Sequence, residues 1–116
     1  MWNKFTFPSV TTDQIHVLIS ATADGFSRVL ELEAYQTAAV RANVALASNG
    51  ATVVASSQYY SRLPAEAAIN GDRYHLFLPD GRYNIWHSAI GAAKPDWLEV
   101  TFTGPKALPE VVIATQ

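Results

Sequence analysis

Residues 97–114, WLEVTFTGPKALPEVVIA, alternate apolar and polar positions on either side of a Gly-Pro pair. Leu98, Val100 and Phe102 fall on one face and Trp97, Glu99 and Thr101 on the other, the period-two pattern of a half-buried strand. Gly104-Pro105 reads as a turn and Glu110 to Ala114 as a second strand. Strand backbones need partners along both edges, and only Thr115 and Gln116 follow. The strands read at Gln14 to Ser20 and Arg28 to Tyr35 are expected to pack with these two.

Working outward, the same alternation recurs. In QIHVLIS, Ile15, Val17 and Ile19 oppose His16 and Leu18; in RVLELEAY, Leu30, Leu32 and Ala34 oppose Val29, Glu31, Glu33 and Tyr35. Turn signals separate the runs at Asp24-Gly25, Asn49-Gly50, Asn70-Gly71 and Pro79-Asp80-Gly81. The one helical candidate is Pro64 to Asn70, with Pro in the first turn and Glu66 behind it, enough for a single short turn. Many short strands at regular spacing predict an all-β sandwich or jelly roll.

Composition sets the outer limits. The chain has 116 residues, 49% hydrophobic and 16% charged, the size of one compact domain burying roughly two-thirds of its unfolded surface. Its net charge is -2 and its eight Lys and Arg are scattered along the sequence, so no basic stripe marks a nucleic-acid partner. The absence of cysteine excludes disulfides and thiolate metal sites. No run reaches the length of a membrane-spanning helix, so no membrane partner is expected; MWNKFTF has no signal-peptide pattern, and any export signal is expected to lie outside this chain.

Longer stretches carry a resemblance. NVALASNGATVVASSQYYSRLPAEAAINGD, then IWHSA, then PDWLEVTFTGPKALPEVVI, spanning Asn43 to Ile113, resembles the first half of a discoidin-type domain, also called factor V/VIII type C or galactose-binding-like, the group that includes family 32 carbohydrate-binding modules. Residues 1–36 resemble the closing strands of the same family, with His16 where Arg is usual. Tail therefore precedes head, joined by TAAVRA, residues 37–42. Two arrangements account for this order: a segment cut across two tandem repeats, or a circularly permuted and truncated galactose-binding-like jelly-roll sandwich spanning residues 1–116. The second is expected, because two half-domains would leave open edges and exposed apolar faces. The family's middle strands are missing, so an open edge is expected beside EVVIA, closed by pairing with a second copy in a homo-oligomer.

The resemblance also implies chemistry. Family members often hold a structural Ca²⁺, and the matching positions here are Glu31, Asn70, Asp72 and Asn84, all oxygen donors suited to a hard cation. Read without the family, Asn70 caps a turn, Asp72 is solvated, and Glu31 pairs with Arg28 or Arg73. Both readings stand at this point. Carbohydrate-binding members use loops at one end of the sandwich, which implies Tyr59, Tyr60, Arg62, His75, Arg82 and His87 as ligand-binding candidates, glycans as partners, and an extracellular or cell-surface setting.

The segment RYHLFLPDGRYNIW, residues 73–86, reads as a hairpin turning at Pro79-Asp80-Gly81, its aromatics suited to stacking on sugar rings or to covering an open edge. Trp86 and Trp97 are read as packing residues. No nucleophile elbow, His-Glu-x-x-His pair or phosphate-binding loop is present, so a non-catalytic role is expected. The functional contest lies between a glycan-binding module and a structural, self-assembling sandwich.

Overall fold

The computed structural model describes residues 2–37, 41–60, 63–73 and 76–115. The chain is all-β and antiparallel. Its strands are β1 (Trp2–Ile19), β2 (Arg28–Val29), β3 (Glu31–Tyr35), β4 (Thr52–Ala55), β5 (Trp86–His87) and β6 (Asp96–Ala114), with short 3-10 helices at Ala47–Asn49 and Ala65–Ile69. The second of these is the single helical turn that Pro64 and Glu66 predict, with Pro64 as its extended cap.

β6 organises the larger sheet. β1 runs antiparallel along one of its edges, from Trp2 opposite Ala114 to Ile19 opposite Asp96. Its other edge is shared: β4 pairs with Leu98 to Thr101, and β3 with Glu110 to Ala114. The segments on either side of residues 37–42 thus meet strand to strand. β2 and β5 form a separate two-stranded sheet through Arg28–His87 and Val29–Trp86. Between the sheets lies a core of Val29, Leu32, Trp86, Leu98, Val100 and Leu108, with Ala65, Ala68 and Ile69 of the 3-10 helix packed into it.

Three expectations are corrected. Gly104-Pro105 does not turn the chain; β6 continues through it. Thr12 stands opposite Lys106 and Gln14 opposite Thr101, so Phe102, Thr103, Gly104 and Pro105 occupy the space facing Asp13 alone. A second irregularity sets Phe7, Pro8 and Ser9 against Pro109. Proline has no N–H for a ladder, so Pro8, Pro105 and Pro109 sit where the pairing is already broken.

The run from Arg28 to Tyr35 is not one strand. It breaks at Leu30, whose N–H bonds to the carbonyl of Ala114 at 2.8 Å, and the break lets Val29 and Leu32, three positions apart, both reach the core. Unbroken alternation would send them to opposite faces.

The third correction concerns the open edge. Glu110 to Ala114 is paired on both sides and lies inside the sheet. Among the described residues β1, β3 and β4 each have a ladder on one side only; β1 is the longest of these edges, and it exposes Trp2, Phe5, Val10 and Leu18.

The start of β6 is anchored by a buried polar cluster. Asp96 accepts hydrogen bonds from Ser27 Oγ at 2.7 Å and Lys94 Nζ at 2.6 Å. Burial alone would raise the Asp96 carboxyl, but the bonds from Lys94, Ser27 and Ser88 outweigh it and hold the group below its ordinary value.

Candidate functional site

Two groups of the sequence-selected residues assemble. The first is built around Glu31, the opening residue of β3, which is fully buried together with Asn84. After the 3-10 helix ends at Ile69, the chain turns through Asn70 and Gly71; Asn70 Oδ1 accepts the N–H of Asp72 at 2.9 Å and Gly71 adopts φ of 84°. This turn brings Gly71 N–H to Glu31 Oε2 at 2.8 Å. The Asn70 amide donates to Asn84 Oδ1, and Asn84 Nδ2 donates to the carbonyl of Asp72 at 3.1 Å. Asn70, Asp72 and Asn84 are therefore linked by hydrogen bonds, and Glu31 joins them through the Gly71 N–H of the same turn.

Asn84 gets there through the 76–84 segment. Its N–H bonds to the Leu76 carbonyl at 2.7 Å, Leu78 and Arg82 close the Pro79-Asp80-Gly81 turn at 2.8 Å, and Phe77 bridges Tyr83. The expected hairpin is present as a tight turn with a single bridge rather than as two regular strands. Tyr74 lies outside the described residues.

Glu31 does not pair with Arg28 or Arg73. Arg28 pairs with Asp24 at 2.8 Å, and Arg73 pairs with Glu33. Burial, reinforced by the charge of Glu33 and opposed by the Gly71 N–H, pushes the Glu31 carboxyl up to about 8. Its Oε1 is buried with no hydrogen-bond partner among the described residues. An oxygen donor set with one orphaned carboxylate oxygen fits a hard cation, with Glu31 and Asp72 supplying the charge. Among the described residues no group of three or more His, Cys, Asp and Glu side chains is placed to hold a metal, so such a site depends on its amides and backbone carbonyls.

The second group is an aromatic ledge. Tyr59 lies 5.1 Å from the His87 ring, Tyr60 meets Tyr59 edge-on at 3.9 Å, and Phe26 approaches His87 from β2's side at 5.2 Å. The Tyr59 N–H bonds to the His87 carbonyl at 2.9 Å, fixing the loop to β5, while Trp86 Nε1 holds the Ser57 carbonyl at 2.9 Å from within the core. Arg28 lies 5.4 Å from the Phe26 ring centre, and Tyr60 is 57% exposed.

Of the sequence-selected ligand residues, Tyr59, Tyr60 and His87 converge here. Arg82 is held elsewhere, by Asp80 at 2.8 Å in the 78–82 turn, where it lines a cavity of about 170 Å³ with Pro64, Glu66 and Asn70. Arg62 and His75 lie outside the described residues. Phe26 and Arg28 were not expected at this site; the only sequence signal was the Asp24-Gly25 turn, in which Asp24 Oδ1 accepts the Phe26 N–H at 3.1 Å and aims the ring.

Comparison with protein-family profiles, curated proteins and solved structures gives no match in any of the three.

Proposed function

We propose that the chain is a non-catalytic carbohydrate-binding module with a permuted galactose-binding-like jelly-roll sandwich, steadied by a Ca²⁺ held by Glu31, Asn70, Asp72 and Asn84. The observation that carries the binding reading is the convergence of Tyr59, Tyr60 and His87, chosen from sequence as sugar contacts, with Phe26 and Arg28 on one partly exposed ledge. Aromatic faces pack against the C–H faces of a sugar ring, while the imidazole, guanidinium and phenol groups supply hydrogen bonds to its hydroxyls. The support for permutation is the direct pairing of Glu31 to Tyr35 with Glu110 to Ala114.

A glycan array followed by calorimetry tests the reading. Binding of one neutral glycan class, lost in Tyr60→Ala with the melting temperature unchanged, is the expected result. An array with no hit, on protein shown to be folded, removes it.

A structural, self-assembling role is favoured by a different observation. β1 offers an 18-residue strand paired on one side only among the described residues, with large apolar side chains exposed along it. Such an edge is a template for a second copy.

A further inference from the structure

Three of the eight cations that are scattered along the sequence meet in space. Lys4 of β1, Arg41 and Arg73 line one open cleft of about 530 Å³ together with Trp2, Tyr35 and Glu110. The cleft lies on the sheet face where Lys4, Val112 and Glu33 stand in register across β1, β6 and β3.

Both arginines are oriented by aromatic rings. Arg41 lies 4.3 Å from the centre of Tyr35 and Arg73 lies 4.5 Å from the centre of Trp2. Each also has a carboxylate partner. Glu110 bonds Arg41 and lies 3.4 Å from Lys4; Glu33 bonds Arg73, with Nε at 2.6 Å, and accepts from the Tyr35 hydroxyl at 2.7 Å. A guanidinium held over a ring is restrained in position while its N–H groups remain donors, an arrangement that suits an oxyanion. Lys4 and Arg41 are each more than half exposed, so they remain open to an incoming group.

Charge counting selects the ligand. Three cations against the two carboxylates Glu33 and Glu110 leave one positive charge, which matches a monoanion, whereas a phosphate monoester would bring a second negative charge against both glutamates. Backbone geometry selects further. Val112 is paired with Lys4 on one side and with Glu33 on the other, so the floor of the cleft presents side chains, and the unpaired backbone an extended peptide would use lies at its rim, on the outer side of β1. We infer that this cleft is a second saccharide subsite, selective for a sugar residue bearing a monoanionic group, a carboxylate or a sulfate ester, with Arg41, Lys4 and Arg73 facing the anion and Trp2 and Tyr35 the ring. This extends the glycan-binding reading to a site distinct from the aromatic ledge.

The test is an NMR titration of the isotope-labelled full chain with three trisaccharides: one containing glucuronic acid, one sulfated and one neutral. The acidic probes are expected to shift the Trp2 indole and Arg41 side-chain signals, the neutral probe to leave them in place, and the affinity to fall several-fold on going from low salt to about 0.3 M. Whichever acidic probe binds more tightly identifies the anion. Arg41→Gln is expected to weaken that binding about tenfold, while Tyr60→Ala leaves it unchanged. Acidic probes that perturb only Tyr60 and His87 would overturn the cleft and spare the ledge. Equal response of Trp2 to the neutral and acidic probes, or no response at millimolar concentrations, would also overturn it.

Discussion

Gly71 donates its backbone N–H to Oε2 of Glu31 at 2.8 Å, tying the loop after the 3-10 helix to a strand 40 residues earlier. The glycine holds φ of 84°, and a Cβ at this position would stand 2.8 Å from Cδ1 of Leu46. Gly71→Ala is therefore expected to destabilise the fold by about 1–2 kcal/mol through backbone strain and crowding together, measured by urea unfolding. A variant as stable as the parent would show that the loop relaxes freely.

The buried carboxylate predicts a pH dependence. The ordinary value of the Glu31 carboxyl is 4.5 and burial pushes it up to about 8. Between those values the folded state retains a proton that the unfolded state gives up, so this group's contribution makes stability fall as pH rises through the window and level off above it. In chelator, Glu31→Gln keeps the acceptor for Gly71 and removes the titration. It is expected to be the more stable protein above the window, by on the order of a few kcal/mol, and to differ little below it. Parallel stability profiles for the two proteins would contradict the assignment.

Calcium should reverse that penalty. A cation that binds only the folded chain stabilises it by about 3 kcal/mol once its concentration is roughly a hundredfold above its Kd. Thermal melting is expected to rise with Ca²⁺, fall back with chelator, and lose the response in Glu31→Gln. An unchanged melt across the series would leave the Asn70 turn as a backbone device alone.

The unpaired side of β1 predicts self-association. Leu18 is 64% exposed and Phe5 49% exposed, so Phe5→Lys and Leu18→Lys are expected to leave stability within about 0.5 kcal/mol while dissociating any oligomer seen by light scattering. A parent protein that stays monomeric at high concentration would set the self-assembly reading aside.

Much of the sheet was legible because its residues obey a strict period of two: Leu98, Val100 and Phe102 are buried as their alternation requires. The break at Leu30 was not, since it answers a long-range need, a carbonyl at Ala114 and two core positions three residues apart. The continuation of β6 through Gly104-Pro105 was hidden for a similar reason. Gly-Pro signals a turn locally, but pairing with β1 on both sides of it turns the same residues into a bulge. In the sites, the turn residues Asn70 and Gly71 announced themselves, whereas Phe26 joined the ledge only through the packing of β2 on β5. The grouping of Lys4, Arg41 and Arg73 was invisible in one dimension, because each comes from a different segment of the chain.

The placement of β6 also dictates when the molecule can form. Trp2 pairs with Ala114, and β3 and β4 likewise find their ladder partner only in β6. During synthesis β1, β3 and β4 must wait, without their ladder partner, until β6 has been made. Such long-range closure places refolding in the slow class of β-proteins, roughly milliseconds to seconds. It also makes the interval before β6 emerges the period in which a stray β1 is most exposed to aggregation.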